Sequence, residues 1–251
     1  MIDLKTEDGI AVVTLTHGKA NALDIELCEA LIKCFAELRA PEIRAVVLTG
    51  QGRMFSAGVD LVRVSSGGAE YVRKFLPVLN QAFDAVFFLP KPLVVAVNGH
   101  AVAGGCVLAC CGDRRLMARS GGRIGVTELL VGVPFPALAF EIVRAAVPSR
   151  HFAEFTLGAA TYEVDDALGR GWVDEVVEAG ALMENAMAAA RRLAALPAFA
   201  FAQTKTQMRQ PVAERLERSG AAIDKIATEI WAAAETLDRI RDYVARTLKK
   251  G

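Results

Sequence analysis

Glu128 is the residue whose type and setting most directly suggest chemistry. It lies in residues 123–134 (RIGVTELLVGVP), among apolar side chains and glycines. A carboxylate in apolar surroundings has a raised pKa, which suits it to accept a proton near neutral pH. The same pattern fits a glutamate whose side chain simply reaches solvent. The residues alone therefore make Glu128 a candidate general base and leave both interpretations open.

Two glycine-containing turns could stabilise a negative charge. Residues 55–61 (FSAGVDL) and residues 98–106 (NGHAVAGGC) each follow an apolar, strand-like run. Where a strand passes into a helix, backbone N–H groups lack partners and the helix dipole favours an anion. Two such N–H groups from different segments are what a developing oxyanion requires. Taken alone, however, such a turn is more often only a tight connection.

The other reactive residue types indicate no further chemistry. Neither turn matches the G-x-G-x-x-G dinucleotide pattern or a phosphate loop with its lysine. The five cysteines are odd in number, which argues against a disulfide framework, so we expect buried thiols. The three histidines, His17, His100 and His151, stand far apart. We therefore expect no metal site.

Apolar periodicity predicts the elements that must position these residues. The predicted strands span residues 10–16, 44–49, 93–97 and 115–118. The predicted helices span residues 24–39, 71–88, 104–111, 182–196, 198–208, 212–234 and 236–249. Asp24 should cap the first helix, with Leu27 on its buried face. This alternation predicts an α/β fold. A change to alanine-rich helices divides the chain into a core at 1–180 and a helical region at 181–251.

The overall composition excludes several classes of function. Hydrophobic residues make up 53% of the chain, enough for a substantial core, and 29 basic residues balance 29 acidic ones. This balance gives no electrostatic footprint for nucleic acid. No apolar run is long enough to cross a membrane, and the first residues (MIDLK) lack the pattern of a signal peptide. We therefore expect a cytoplasmic protein that acts on neither nucleic acid nor membranes.

An ordered set of motifs resembles the enoyl-CoA hydratase/isomerase, or crotonase, superfamily. The segments that carry the resemblance are residues 19–23 (KANAL), 55–61 (FSAGVDL), 98–106 (NGHAVAGGC), 111–115 (CGDRR), 125–132 (GVTELLVG) and 156–177. They follow one another over nearly the whole chain. Their order is far more specific than any single motif.

The resemblance implies a fold, a substrate and a set of site residues. The fold is a spiral of ββα units with a C-terminal helical region used for trimer packing, often as a dimer of trimers. The substrate is an acyl-coenzyme A (acyl-CoA) thioester, with no separate cofactor. The oxyanion donors would be the backbone N–H groups of Val59 and Gly104, with Glu128 as the proton-transfer group. The expected substrate-binding residues are Lys19, Ala20, Leu23, Ser56, Ala57, Gly58, Asp60, Leu61, Gly105, Val107, Pro134, Tyr243 and Arg246.

Departures from the family pattern favour isomerisation. Hydratases of the family carry a second glutamate where this chain has Val107, so one of the two groups that orient water is missing. A single carboxylate can still move a proton from one carbon of an enolate to another, which isomerises a β,γ-enoyl-CoA to the α,β-enoyl-CoA. The family's glycine-rich stretch is replaced by residues 134–137 (PFPA), which should reshape the acyl pocket.

Other functions remain open from the sequence. The chain could be a hydratase with an incomplete catalytic pair, or a non-catalytic acyl-CoA-binding member. A serine peptidase on the same fold is disfavoured, because Ser56 has no evident histidine partner. Asp113 is expected to have a structural role, paired with Arg115, and His100 has no assigned role.

Overall fold

The computed structural model describes residues 1–247, which form an α/β fold. The strands are β1 (Ile2–Glu7), β2 (Ile10–Leu15), β3 (Ala45–Gly50), β4 (Met54–Ser56), β5 (Leu93–Val97), β6 (His100–Val102), β7 (Arg114–Ala118), β8 (Arg123–Gly125), β9 (Tyr162–Glu163) and β10 (Glu175–Val177). The α-helices are α1 (Ile25–Glu37), α2 (Leu61–Phe87), α3 (Gly104–Cys110), α4 (Ala137–Ala146), α5 (Ser149–Gly158), α6 (Val164–Arg170), α7 (Leu182–Ala194), α8 (Ala198–Ala232) and α9 (Ala234–Thr247). Two short 3₁₀ helices span Glu128–Val131 and Ala179–Ala181.

From β3 to β8 the strands alternate between two sheets. The larger sheet has the order β1-β2-β3-β5-β7-β10, and the smaller has the order β4-β6-β8-β9. The chain adds one strand to the large sheet and the next to the small sheet before it enters a helix, as in β3-β4-α2 and β5-β6-α3. This repetition is the ββα spiral that the resemblance implies.

The large sheet is buried on both faces. Its central strands β3 and β5 are apolar at nearly every position and entirely buried, as expected for parallel strands covered on both sides. The main core fills one face. Helix α7 covers the other face, where Leu182, Ala186, Ala189 and Ala190 pack against β3 and β5.

The small sheet brings three connections to one edge. Strands β4, β6 and β8 are neighbours and run parallel. Their carboxyl ends therefore lie at the same edge of the sheet, where open α/β sheets commonly bind ligands. Residues 57–60 leave β4 there, Ala103 and Gly104 leave β6, and residues 126–128 leave β8.

Most of the predicted long elements are confirmed. The strands at 10–16, 44–49, 93–97 and 115–118 are present, with ends shifted by at most a residue or so. Helix α1 begins after Asp24, whose carboxylate accepts a hydrogen bond from the N–H of Leu27 at 2.8 Å. The predicted helix at 236–249 corresponds to α9, and its last two residues lie outside the described residues.

Three of the predicted helices have the wrong bounds. The predicted helices at 198–208 and 212–234 form the single helix α8, which runs through Pro211. A proline inside a helix removes one backbone N–H donor, so one carbonyl of the preceding turn loses its partner. The surface around Pro211 is exposed, which lets water satisfy that carbonyl. Helix α2 starts at Leu61 rather than near Tyr71, with a break at Gly68, where φ is 59° and ψ is −153°.

The expected pair of Asp113 with Arg115 is also wrong. Asp113 accepts from Lys205 Nζ at 2.6 Å and from Arg209 Nη2 at 2.8 Å, both on α8. Arg115 instead pairs with Asp174 at 2.9 Å. Lys205 and Arg209 lie four residues apart on one face of α8 and share the carboxylate of Asp113. These ion pairs fix α8 to the start of β7.

The described residues contain neither a helix suited to span a membrane nor a cluster of metal ligands. Within residues 1–247, no helix is long and apolar enough to cross a bilayer. In the same range, no three histidine, cysteine, aspartate or glutamate side chains cluster as metal ligands would. The division of the chain at residue 180 stays a prediction.

Candidate active site

The turn after β4 is held in place by residues 20–23. The N–H of Ala57 donates to the carbonyl of Ala20 at 2.9 Å, and the N–H of Leu23 donates to the carbonyl of Gly58 at 2.8 Å. Gly58 has φ of 79°, and a Cβ there would lie 2.6 Å from the carbonyl oxygen of Val102. Only glycine fits this position, so its lack of a side chain is what lets the two turns meet.

The turn after β6 lies directly against the first. A Cβ on Gly58 would be 2.8 Å from the backbone nitrogen of Gly104, which opens helix α3. A Cβ on Gly105 would be 2.2 Å from the carbonyl oxygen of Ser56, so the second glycine is required too. Ala103, between β6 and α3, has φ of 51°, a left-handed conformation rare for a residue with a Cβ.

Two backbone N–H groups remain available between these turns. An isolated parallel bridge joins Leu23 to Val59 and uses the carbonyl of Gly58 and the N–H of Asp60. Val59 therefore directs its own N–H away from Leu23, because successive backbone groups point to opposite sides. The N–H of Gly104, at the first position of α3, has no partner within the helix. Both residues line the same cavity.

Glu128 enters that cavity from the end of β8. It opens the 3₁₀ helix Glu128–Val131 and is 8% exposed. Its Oε2 atom is buried without a hydrogen-bond partner among the described residues. Desolvation raises the pKa of this carboxyl to about 7, although the nearby N–H groups of Glu128 and Thr127 offset part of the rise. A group with this pKa can both accept and return a proton near neutral pH.

The cavity has a volume of about 480 Å³ and is mostly apolar. Nine of the residues predicted as catalytic or substrate-binding line it: Ala20, Ala57, Val59, Asp60, Leu61, Gly104, Val107, Glu128 and Tyr243. Val107, on α3, is fully buried. The position expected to carry a second carboxylate in hydratases thus presents only methyl groups to the cavity.

Four other predicted residues lie behind the cavity wall and shape it: Leu23, Ser56, Gly58 and Gly105. Leu23 is buried beneath Gly104, where a Cβ on that glycine would approach Leu23 Cδ1 to 3.1 Å. The Ser56 hydroxyl donates to the carbonyl of Asn21 at 2.7 Å, so it holds the 19–23 segment against the turn.

Three predicted residues are not brought to the cavity. Lys19 is exposed. Pro134 lines a neighbouring cavity and accepts a hydrogen bond from Trp231 through its carbonyl. Arg246 is exposed and lies 3.7 Å from Asp242 on its own helix. Contacts of Lys19 and Arg246 with the coenzyme A part of a substrate stay predictions.

Several lining residues were not predicted from the sequence. Leu79 and Phe83 of α2 and Trp231 of α8 add large apolar side chains to the cavity wall, and Thr127 and His100 add polar groups. The sequence gives no functional signal for Leu79, Phe83 and Trp231, because their spacing is that of ordinary helix core positions. The Nδ1 atom of His100 accepts from the N–H of Arg123 at 3.3 Å, which leaves the ring proton on Nε2 when the ring is neutral.

Comparison with known proteins identifies the family. The model of the enoyl-CoA hydratase/isomerase family matches residues 5–246, nearly the whole chain. The chain belongs to this family. A putative enoyl-CoA hydratase of Thermus thermophilus is 37% identical over 190 residues, which are 74% of this chain and 74% of that protein.

Solved structures of similar proteins carry both reaction names. Human mitochondrial delta3-delta2-enoyl-CoA isomerase superposes with a TM-score of 0.94 at 23% identity, covering 99% of this chain and 98% of that one. At this identity the likeness shows the fold. A probable enoyl-CoA hydratase of Mycobacterium tuberculosis superposes with a TM-score of 0.83 at 30% identity, covering 100% and 99% of the two chains. This enoyl-CoA hydratase/isomerase family member therefore has the crotonase fold, and its reaction must be argued from its own site.

Proposed function

We propose that this protein isomerises β,γ-enoyl-CoA thioesters to α,β-enoyl-CoA thioesters. The reaction moves one proton from the α-carbon to the γ-carbon, and the double bond moves with the electrons that the first proton leaves behind. It requires a site that stabilises an enolate and one group that can take and return a proton. No water is consumed.

The two turns stabilise the enolate. The thioester carbonyl oxygen accepts hydrogen bonds from the N–H groups of Val59 and Gly104, so the negative charge that develops on oxygen meets fixed donors. One such donor is worth about 10²–10³ in rate in comparable sites. Because the surroundings are apolar, the donors act with little competition from solvent.

Glu128 transfers the proton. As a carboxylate it removes the α-proton, and as a carboxylic acid it returns a proton to the γ-carbon of the dienolate. A pKa of about 7 makes both forms accessible near neutral pH. A positioned acid/base of this kind contributes about 10²–10⁴ in rate.

The observation that carries the proposal is a single buried carboxylate, Glu128, in a cavity whose wall carries the apolar Val107. Glu128 and Asp60 are the two carboxylates on the wall of the cavity, within the described residues. Asp60 caps α2, accepting from the N–H of Arg63 at 2.9 Å, and is partly exposed. With Val107 in place of a second buried carboxylate, Glu128 has no buried carboxylate partner with which to orient a water molecule.

Hydration of the α,β-enoyl-CoA is the second candidate. The Thermus thermophilus relative is named a putative enoyl-CoA hydratase. The hydroxyl of Thr127, next to Glu128, also lines the cavity and is a polar group that a water molecule could use. This candidate requires Thr127 to replace a carboxylate.

We further propose that the protein assembles as a homotrimer or a dimer of trimers, uses no separate cofactor and works in the cytoplasm. Support for assembly comes from exposed apolar side chains beside a second cavity of about 350 Å³, including Leu129, Leu157 and Ile223. Sedimentation at micromolar concentration tests this proposal. A monomer would contradict it.

Mass spectrometry of the products tests the reaction. The purified protein is incubated separately with a β,γ-enoyl-CoA and with the matching α,β-enoyl-CoA. Isomerisation converts the first into the second at unchanged mass, and Glu128→Gln should slow this by about 10²–10⁴. Hydration adds the mass of water. Recovery of both substrates unchanged would reject both candidates.

A further inference from the structure

The residues that line the cavity range from exposed to fully buried, and we take the buried part as its closed end. Asp60, Leu61 and Val62 lie on the wall where it meets solvent, and Val62 is 51% exposed. The cavity is also lined by Leu79, Phe83 and Trp231, but none of these side chains is more than 2% exposed. The charged nucleotide of coenzyme A must remain in water. The acyl chain of a bound thioester therefore extends toward the closed end.

Trp231 is the largest side chain at that end, and it is fixed in place. Its indole Nε1–H donates to the carbonyl of Pro134 at 2.9 Å, so the ring cannot turn without breaking this hydrogen bond. Helix α8 carries the residue one position before its end, and α8 packs on both α2 and α4. This hydrogen bond and the packing of α8 both oppose displacement of the ring by a longer chain.

The hydrogen-bond partner of Trp231 separates the cavity from a second one. Pro134, Phe135 and Ala137 line the neighbouring cavity of about 350 Å³, whereas Pro136 lines the cavity that holds Glu128. The 134–137 segment is therefore a partition between two apolar spaces. The bond from Trp231 holds this partition where it closes the acyl end.

We propose that Trp231 sets the maximum acyl-chain length, so that the substrates are short- and medium-chain enoyl thioesters. This inference rests on the proposed function, because it takes the cavity to be the acyl-CoA site. Trp231 acts as a specificity-determining residue: it contacts the end of the chain and takes no part in proton transfer.

Calorimetric titration with saturated acyl-CoAs, from butyryl to palmitoyl, measures the limit without turnover. Each methylene that is buried should tighten binding about fourfold. In the wild type this gain should stop at a short or medium chain, and longer chains should bind no better or more weakly. In Trp231→Ala the gain should continue to longer chains. In Trp231→Phe, which keeps most of the wall, the limit should move less.

Phe135→Ala is the matched control. It removes an aromatic ring from the other side of the same partition, so it should leave the chain-length limit unchanged. If Trp231→Ala does not fold, as judged by circular dichroism, Ala139→Leu provides the converse test. Ala139 is buried on the wall of the cavity, and a larger side chain there should move the limit to shorter chains.

The outcomes separate this inference from the proposed function. If no acyl-CoA binds to the wild type at any length, the proposed function fails. If acyl-CoAs bind but Trp231→Ala and Trp231→Phe keep the wild-type limit, the inference about Trp231 is wrong while the proposed function stands. Tight binding of palmitoyl-CoA to the wild type would likewise overturn the inference.

Discussion

Replacing Glu128 with glutamine should lower activity by about 10²–10⁴ and yet stabilise the protein above neutral pH. A buried carboxyl with its pKa raised to about 7 holds a proton in the folded state at pH values where the unfolded chain, with an ordinary pKa near 4.5, has released it. Folding stability therefore falls as the pH rises from about 4.5 to about 7, and it is level above that range. Glutamine does not titrate, so Glu128→Gln removes this dependence.

The size of the effect follows from the shift in pKa. A rise from 4.5 to about 7 corresponds to about 3 kcal/mol when each pKa unit is worth 1.36 kcal/mol. Between pH 5 and pH 8, the stability of Glu128→Gln relative to wild type should increase by about 2–3 kcal/mol. In a chain of this size that is an increase of roughly 5–10 °C in the difference between the two Tm values.

Thermal unfolding of both proteins at matched protein concentration, from pH 5 to pH 8, measures this difference. Glu141→Gln is the control. Glu141 is also buried, but it pairs with Arg215 at 2.6 Å and Arg144 at 3.3 Å. Its loss should lower the Tm at pH 8. If the Tm difference between Glu128→Gln and wild type is the same at pH 5 and pH 8, Glu128 does not have the raised pKa on which its proposed role depends.

Four further results are expected. The kcat/KM of the wild type for isomerisation should rise with pH and level off above about 7 as Glu128 loses its proton; a flat profile between pH 5 and 8 would exclude Glu128 as the base. Val107→Glu should gain hydration of a short α,β-enoyl-CoA, seen as 3-hydroxyacyl-CoA, whereas Val107→Leu should not; efficient hydration by the wild type would contradict the preference for isomerisation. Gly58→Ala should lower turnover by about 10²–10³, because its Cβ would displace the donor at Gly104; near-normal turnover in a folded variant would refute this geometry. Asp113→Ala should destabilise the fold by about 3–5 kcal/mol in urea unfolding, because it leaves buried cations of α8 unpaired, and a change below about 1 kcal/mol would show that the cluster contributes little.

The half of the candidate site that holds the proposed catalytic residues could be predicted from the sequence, because it lies in short, continuous motifs. Val59, Gly104 and Glu128 each lie in a short motif, so their type, spacing and resemblance to a known family can be read directly. The parallel strands β4, β6 and β8 then bring them together. These strands have three residues each, too few for a periodic pattern, and were not predicted.

The closed end of the cavity could not be predicted in the same way. Leu79, Phe83 and Trp231 come from two long helices more than a hundred residues apart, and each fits the apolar face of its helix. Whether such a residue meets another helix or an empty space depends on tertiary packing. The pairing of Asp113 was missed for the same reason, since its partners lie about ninety residues away on α8.

The central claim is that Glu128 carries a proton between two carbons of the same substrate. Mass spectrometry of the product from a β,γ-enoyl-CoA that carries deuterium at its α-carbon tests this most directly. With wild-type protein in ordinary water, part of the deuterium should appear at the γ-carbon of the α,β-enoyl-CoA, and Glu128→Gln should form almost none of this product. Complete loss of the transferred deuterium to solvent, or 3-hydroxyacyl-CoA as the main product, would contradict the account.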